Sequence, residues 1–160
     1  MDEQAKKTAL RMIPYGLYVL TTKSKDGNDL GAATVNWVTQ ASFAPPLVAV
    51  GVKADSGAHQ HIKDTGVFAV NVLGKDQLDM AFAFFKPTER EGNTLNGQPF
   101  EDSPAGLPLL TATPAWWECK LVDEIAQGDH TVFVGEVVEA GVRAEDQIVL
   151  MRDHNLNYGG

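Results

Sequence analysis

Four histidines and one cysteine are the side chains of this sequence with the widest chemical range: His59, His61, His130, His154 and Cys119. A transition-metal site normally combines several Cys, His or carboxylate ligands at close spacing. Neither a second cysteine nor a tight acidic cluster accompanies these histidines, so we expect no metal site. The lone cysteine cannot close an internal disulfide, which agrees with a reducing compartment. It falls in a strand pattern and is expected to be a core residue without redox chemistry.

Ser56 stands immediately before a short predicted helix, Gly57–Asp64. Serine at this position commonly caps a helix by accepting a backbone N–H. The same helix N-terminus favours a bound phosphate, because its N–H groups are unpaired and the helix dipole is positive there. The two interpretations are compatible. On this helix, His61 is expected to be exposed.

Familiar enzyme signatures are missing from the sequence. There is no Gly-x-Gly-x-x-Gly, no phosphate loop ending in Gly-Lys-Ser/Thr, no His-Glu-x-x-His and no Gly-x-Ser-x-Gly. The net charge of -8 opposes nucleic-acid binding, which is driven largely by Lys and Arg at phosphates. These observations remove support for four common catalytic classes and make nucleic acid an unexpected partner.

Length and hydropathy predict one domain over residues 1–160, since a chain of 160 residues buries a single core without disulfides or a structural metal. No apolar run approaches the length of a membrane span, and Met1–Lys7 lacks the basic-then-apolar order of a secretion signal. We expect a cytoplasmic protein without a membrane partner.

Strands must position most of the candidate residues. Strand patterns cover Tyr15–Thr22, Leu30–Phe43, Leu47–Val52, Val67–Leu73, Ala115–Ile125 and Thr131–Val142. Helical patterns cover Asp2–Arg11, Gly57–Asp64 and Asp76–Phe85. The first helix has Ala5, Ala9 and Met12 on one side, and the first two strands should pair as a hairpin. Residues Lys86–Pro114, rich in Gly, Pro, Asn and Thr, are predicted as a long surface excursion.

Six or more strands separated by turns favour a closed or nearly closed antiparallel barrel over a doubly wound sheet. Closure also removes exposed sheet edges. The predicted fold is therefore mainly β, with short accessory helices.

Four segments resemble the flavin reductase family, whose FMN-binding members fold as antiparallel, Greek-key split β-barrels. They are GAATVNWVTQASFAPPLV at residues 31–48, VGVKADSGAHQHI at 50–62, GDHTVFVGEV at 128–137 preceded by WECK at 117–120, and RDHNLNYGG at 152–160. The resemblance spans nearly the whole chain, and Gly-Asp-His at the start of a strand is its best signature. It implies FMN as cofactor and NAD(P)H as reductant.

In this family the first segment borders the flavin ring. A flat heterocycle with amide-like edges needs backbone donors and acceptors beside an apolar floor, and small residues permit close approach. The resemblance assigns this role to seven residues: Thr34, Val35, Asn36, Trp37, Val38, Thr39 and Ser42. The alternative is an ordinary hairpin with a surface Trp37.

The other segments supply the remaining contacts of the resemblance. Lys53, Ser56 and His59 match the turn that holds the flavin phosphate, although Ala58 replaces the usual Thr and removes a hydroxyl. His130 matches the histidine beside the flavin face where nicotinamide stacks, so an imidazole there would contact nicotinamide or handle a proton. Alternatively, Asp129 and His130 merely cap a turn. Tyr158 is expected near the pocket.

The resemblance predicts an NAD(P)H:flavin oxidoreductase that passes electrons from reduced flavin to an acceptor protein or a flavin-dependent monooxygenase. It also predicts a homodimer with the pocket near the interface. Two alternatives remain: a flavoredoxin-like carrier with permanently bound FMN, and a non-catalytic FMN-binding module, because fold alone does not determine function.

Overall fold

A computed structural model describes residues 1–159 of the chain. The helices are α1 (Glu3–Arg11), α2 (Gly57–Thr65) and α3 (Leu78–Ala83), with a 3₁₀ turn at Met151–His154. The strands are β1 (Tyr18–Lys23), β2 (Leu30–Val35), β3 (Val38–Ser42), β4 (Leu47–Lys53), β5 (Val67–Val72), β6 (Arg90–Glu91), β7 (Thr94–Leu95), β8 (Gln98–Asp102), β9 (Pro108–Leu110), β10 (Ala115–Ile125) and β11 (His130–Val142). Within the described residues, no helix is long and apolar enough to cross a membrane.

Seven strands form one antiparallel sheet in the order β2-β1-β5-β10-β11-β4-β3. Its edge strands, β2 and β3, follow each other in the chain and are joined only by Asn36 and Trp37. The sheet must therefore curve until its two edges meet. The prediction of a mainly β, split-barrel fold is confirmed.

The bend at Asn36–Trp37 corrects the prediction of one continuous strand over Leu30–Phe43. The Asn36 amide is buried and donates to the Met151 sulfur at 3.1 Å. The Trp37 carbonyl accepts from the Gly51 N–H at 2.8 Å. Because these contacts lead the chain away from β1, β2 pairs with β1 as expected, whereas β3 pairs with β4.

The segment predicted as a surface excursion, Lys86–Pro114, is folded. It contains β6 to β9, which form a second, four-stranded sheet. Its apolar side chains are buried: Leu95, Phe100, Leu107, Leu109 and Leu110. The prediction was wrong because strands of two to five residues are too short to show a period.

His61 is buried, which contradicts its predicted exposure. Helix α2 packs across β1 and β2, and the His61 ring enters that contact. Its Nδ1 lies 3.1 Å from the Thr22 hydroxyl, and its Nε2 lies 3.3 Å from a carboxylate oxygen of Asp29. A helix of nine residues needs few apolar side chains to cover two strands, so a histidine with polar partners fits its inner face.

Two helices are capped at their N-termini by side chains, and the cap at Ser56 is the one expected from the sequence. Asp2 caps α1 by accepting the N–H groups of Gln4 and Ala5 at 2.8 and 3.1 Å, and Ser56 caps α2. Yet none of the residues of α1 is buried, so its predicted apolar side is not covered. One part of the core is built from strands of the seven-stranded sheet and from α2, and it contains Cys119, as expected. Another part packs β1 and β2 against α3 and the second sheet.

Candidate functional site

Three aromatic side chains predicted to line the site meet at one end of β11. The ring centroids of Trp37 and His130 lie 4.6 Å apart, and those of Trp37 and Tyr158 lie 5.4 Å apart. Trp37 comes from the joint between β2 and β3, His130 is the first residue of β11, and Tyr158 follows the 3₁₀ turn. We call these three residues the aromatic cluster.

Strand register brings the predicted phosphate turn to this cluster. Lys53 ends β4 directly opposite His130 in the β4–β11 ladder. The turn is also tied to Asp129, whose carbonyl accepts the N–H of Ala54 at 2.9 Å. Residues distant in the sequence therefore share one rim of the sheet.

A chain of hydrogen bonds fixes the His130 ring. Its Nδ1 lies 2.9 Å from an Asp129 carboxylate oxygen, and its Nε2 lies 2.8 Å from the Tyr158 hydroxyl. An ionised carboxylate only accepts, so in the neutral ring the proton lies on Nδ1 and Nε2 accepts from Tyr158. The bond to His130 and its charge lower the pKa of Asp129 below the usual value.

Within the predicted phosphate turn, only some polar atoms are exposed. The Lys53 ammonium is exposed and lies 3.1 Å from the Asp55 carboxylate, which raises the pKa of Lys53. The Ser56 hydroxyl accepts from the His59 N–H and donates to the Lys53 carbonyl. The His59 ring is turned to Thr131, with its Nε2 2.8 Å from that hydroxyl. Ala58 is buried in the core.

Three residues of the first segment are committed to internal contacts. The Thr34 hydroxyl donates to the Ala81 carbonyl at 2.6 Å, Val35 packs in the core, and Asn36 is bonded to Met151. Their side chains hold the joint that carries Trp37. Ser42 is the last residue of β3 and is partly exposed.

Val38 and Thr39 line a larger cavity of about 500 Å³ beside the same joint. Its wall is formed by Tyr18, Val38, Thr39, Gln40, Pro46, Leu47, Val48, Trp117, Val137 and Ala140. Tyr18 and Trp117 are edge to face at 6.0 Å, and burial raises the pKa of Tyr18. Neither Tyr18 nor Trp117 was predicted from the sequence to belong to a site. The only signal was that Trp117 begins the WECK segment, which is part of the family resemblance.

Three observations show that these residues fit a flavin. The indole N–H groups of Trp37 and Trp117 are buried and have no hydrogen-bond partner within residues 1–159, and a flavin ring offers carbonyl and ring-nitrogen acceptors. The cavity volume lies in the range of about 300–1,000 Å³ typical of small-molecule sites. Lys53 adds an exposed cation for a phosphate.

The family description "Flavin reductase like domain" matches residues 10–159. This chain belongs to the flavin reductase family. The family prediction made from the four segments is confirmed.

Curated relatives resemble this flavin reductase domain along most of its length. A flavin reductase of Pseudomonas putida is 31% identical over 160 residues, covering 100% of this chain and 91% of that protein. A ferric-chelate reductase (NAD(P)H) of Archaeoglobus fulgidus is 33% identical, covering 92% and 88%. A probable flavin reductase of Rhizobium meliloti is 31% identical over 85% of this chain, which spans only 42% of that longer relative.

Solved structures agree. The flavin reductase of the styrene monooxygenase of Pseudomonas putida S12 superposes with a TM-score of 0.75 at 30% identity, covering 89% of both chains. The flavin reductase component of a bacterial two-component tryptophan halogenase gives a TM-score of 0.78 at 26% identity, covering 93% and 92%. Both support the split barrel.

Proposed function

We propose that this flavin reductase domain is an NAD(P)H-dependent oxidoreductase that uses FMN and delivers its electrons to a separate acceptor. The observation that carries the proposal is the aromatic cluster beside Lys53, because it combines a flat apolar wall, a hydrogen-bonded histidine and an exposed cation at one rim. The curated relatives support flavin reduction with a nicotinamide reductant.

A bound flavin would supply the hydride-accepting ring for a nicotinamide reductant, and the protein would supply orientation and electrostatics. Trp37 provides an apolar surface for a ring. The Trp117 indole N–H, in the wall of the larger cavity, is a donor for a ring acceptor. Val38 and Thr39 contribute a strand edge beside that wall.

His130 is the residue assigned to the nicotinamide side. Asp129 and Tyr158 hold both of its ring nitrogens, so its orientation is established before a ligand arrives. A nicotinamide carboxamide that displaces the Tyr158 hydroxyl would find Nε2 as an acceptor. His130 thereby positions the reductant.

Lys53 is the phosphate contact best supported by the geometry. Its ammonium is exposed, whereas the hydroxyl of Ser56 and the ring of His59 are occupied by contacts within the protein. The unpaired N–H groups at the start of α2 remain a second source of donors for the phosphate. Selectivity for FMN over FAD follows if this turn recognises a terminal monophosphate.

The acceptor and the oligomeric state are part of the proposal. The styrene monooxygenase reductase suggests a flavin-dependent monooxygenase as acceptor. A homodimer is supported by apolar side chains exposed on β11 and directly after β3, including Phe43, Val138 and Val142. Sedimentation of the FMN-bound protein tests this, and a monomer with FMN fully bound would contradict it.

Anaerobic spectroscopy tests the central claim. Purified protein is titrated with FMN and FAD, and the bound flavin is then mixed with NADH or NADPH. We expect tighter binding of FMN and bleaching of the flavin band by at least one nicotinamide. Equal or tighter binding of FAD would contradict the proposed selectivity for FMN. Reduction by dithionite alone would favour a carrier or a binding module.

A further inference from the structure

A second, smaller cavity adjoins the aromatic cluster and has a different chemistry. It has a volume of about 240 Å³ and lies between the end of α1 and the 3₁₀ turn. Arg11 and Arg152 line it together with polar and aromatic side chains, among them Tyr15, Asn155 and Asn157. The rest of the lining is apolar and comes from Ile13, Met151 and Leu156. None of these residues belongs to the aromatic cluster or lines the larger cavity.

The charge of this cavity is opposite in sign to the net charge of the protein. The sequence has 21 acidic and 13 basic residues, yet among residues 1–159 the lining contains two arginines and no carboxylate. The nearest competitor is Asp153, 3.6 Å from the Arg152 Nε, and both side chains are exposed. Such a surface pair is weak and exchanges readily for a better anion.

Both arginines retain donors for a ligand. Arg11 Nε donates to the Gly159 carbonyl at 3.3 Å, which uses one of the five N–H groups of a guanidinium. Arginine presents these donors in a planar fork that matches a phosphate group. A pair of arginines without an acidic neighbour in the lining is therefore suited to phosphate.

Tyr158 connects this cavity to the nicotinamide position. Its side chain belongs to the lining, while its hydroxyl bonds to His130 and its ring packs on Trp37. A ligand that places its nicotinamide at His130 would extend past Tyr158 into the cavity. A volume of about 240 Å³ is below the usual range for a whole ligand, so it fits part of one.

We propose that Arg11 and Arg152 form a subsite for the phosphates and ribose on the adenosine side of an adenine dinucleotide. The inference rests on the proposed function and names the part of the reductant that the aromatic cluster does not reach. Asn155 and Asn157 supply amides for ribose hydroxyls, and Tyr15 supplies an aromatic surface. The pyrophosphate and adenosine of FAD share this chemistry.

The test uses the double variant Arg11→Gln/Arg152→Gln, with Lys75→Gln as a matched control, because Lys75 is an exposed cation that lines neither cavity. FMN reduction is measured with NADH, with NADPH and with reduced nicotinamide mononucleotide, which lacks the adenylate. We expect the KM of the dinucleotides to rise about ten-fold, since charge-assisted hydrogen bonds are lost. The KM of the mononucleotide and all kcat values should remain unchanged, and the control should behave as the parent protein.

Direct titration with NAD⁺, NADP⁺, FAD and FMN separates the two sources of the adenylate. Weaker NAD⁺ and NADP⁺ binding assigns the subsite to the reductant, and weaker FAD binding with unchanged FMN binding assigns it to a flavin. Unchanged affinity for all dinucleotides, or an equal loss for the mononucleotides, would overturn the proposal. A parent protein that oxidises neither NADH nor NADPH would refute the proposed function, while these titrations would still decide the subsite.

Discussion

Gly51 lies directly against Trp37. Its N–H donates to the Trp37 carbonyl at 2.8 Å, and a Cβ added at Gly51 would lie 2.9 Å from Cε3 of the indole. A side chain at position 51 of β4 is therefore incompatible with the present position of Trp37. The glycine sets how deeply the indole sits on the sheet.

Gly51→Ala should displace Trp37 and weaken flavin binding. Overpacking of this kind typically costs about 1–3 kcal/mol of unfolding free energy. The matched control is Gly57→Ala, because a Cβ at Gly57 meets nothing within 4 Å. Flavin titration and thermal unfolding of both variants check this. Equal behaviour of the two variants would show that Trp37 does not depend on Gly51.

His130→Ala should slow reduction of bound FMN by NAD(P)H by about ten- to a thousand-fold, because a hydrogen bond and the orientation of the reductant are lost. FMN affinity and folding should change little. Dithionite needs no nicotinamide site, so its rate should be unaffected. His154→Ala is the control, since His154 is exposed outside the aromatic cluster.

Anaerobic stopped-flow traces with both reductants decide the role of His130. Unchanged NAD(P)H rates would remove it from the reaction. Equal slowing with NAD(P)H and dithionite would indicate a damaged flavin pocket instead.

His130→Ala should also raise the pKa of Asp129. The hydrogen bond and charge of His130 hold this pKa below its ordinary value of 3.8. A lowered native pKa stabilises the fold above that ordinary value, and the stabilisation is lost as pH falls through the native pKa. Carbon-detected NMR titration should show the rise. The carboxyl of Asp26, held at a pKa of about 2 by Ser24 and Asn28, should not change.

The sequence predicted the strands and the family well because both depend on local patterns. The strand patterns indicated β4, β5, β10 and β11 to within one residue at either end, and Gly128-Asp129-His130 marked the start of β11. The position of Lys53 opposite His130 was not predictable, because the register of strands far apart in the sequence is a tertiary property.

The failures also have physical reasons. The burial of His61 was not predictable from the helix pattern, because its polar partners, Thr22 and Asp29, come from another part of the chain. The arginine-lined cavity joins Arg11 to Arg152, two residues without any shared motif. Pairings of this kind depend on how elements pack, which a single sequence does not display.

Cys119 should resist alkylation in the native protein. Burial raises the pKa of its thiol from 9.0 to about 12, and the thiolate is the reactive form. At pH 8 the thiolate fraction is then about a thousand-fold lower than that of an ordinary cysteine. Labelling by iodoacetamide should become rapid only in guanidinium chloride. Fast labelling without denaturant would show that β10 opens in the native state.

Lys53→Ala should weaken FMN binding while leaving riboflavin binding unchanged, because the lost cation matters only when a phosphate is present. The ammonium is exposed, so solvent limits the effect to about five-fold. Asp55→Asn should act in the opposite direction, since the Asp55 carboxylate lies 3.1 Å from the ammonium and competes with the phosphate. Lys75→Ala serves as the control for a general change in net charge.

Fluorescence titration of the four proteins with FMN and riboflavin separates the possible causes. A phosphate role for Lys53 requires opposite changes in FMN affinity for Lys53→Ala and Asp55→Asn, with riboflavin affinity constant in both. If FMN and riboflavin weaken equally in Lys53→Ala, the lysine supports the shape of the turn. If Lys75→Ala weakens FMN binding as much as Lys53→Ala does, the effect is one of net charge. The N–H groups at the start of α2 then become the candidate phosphate site, and substitution of Ser56 would test them.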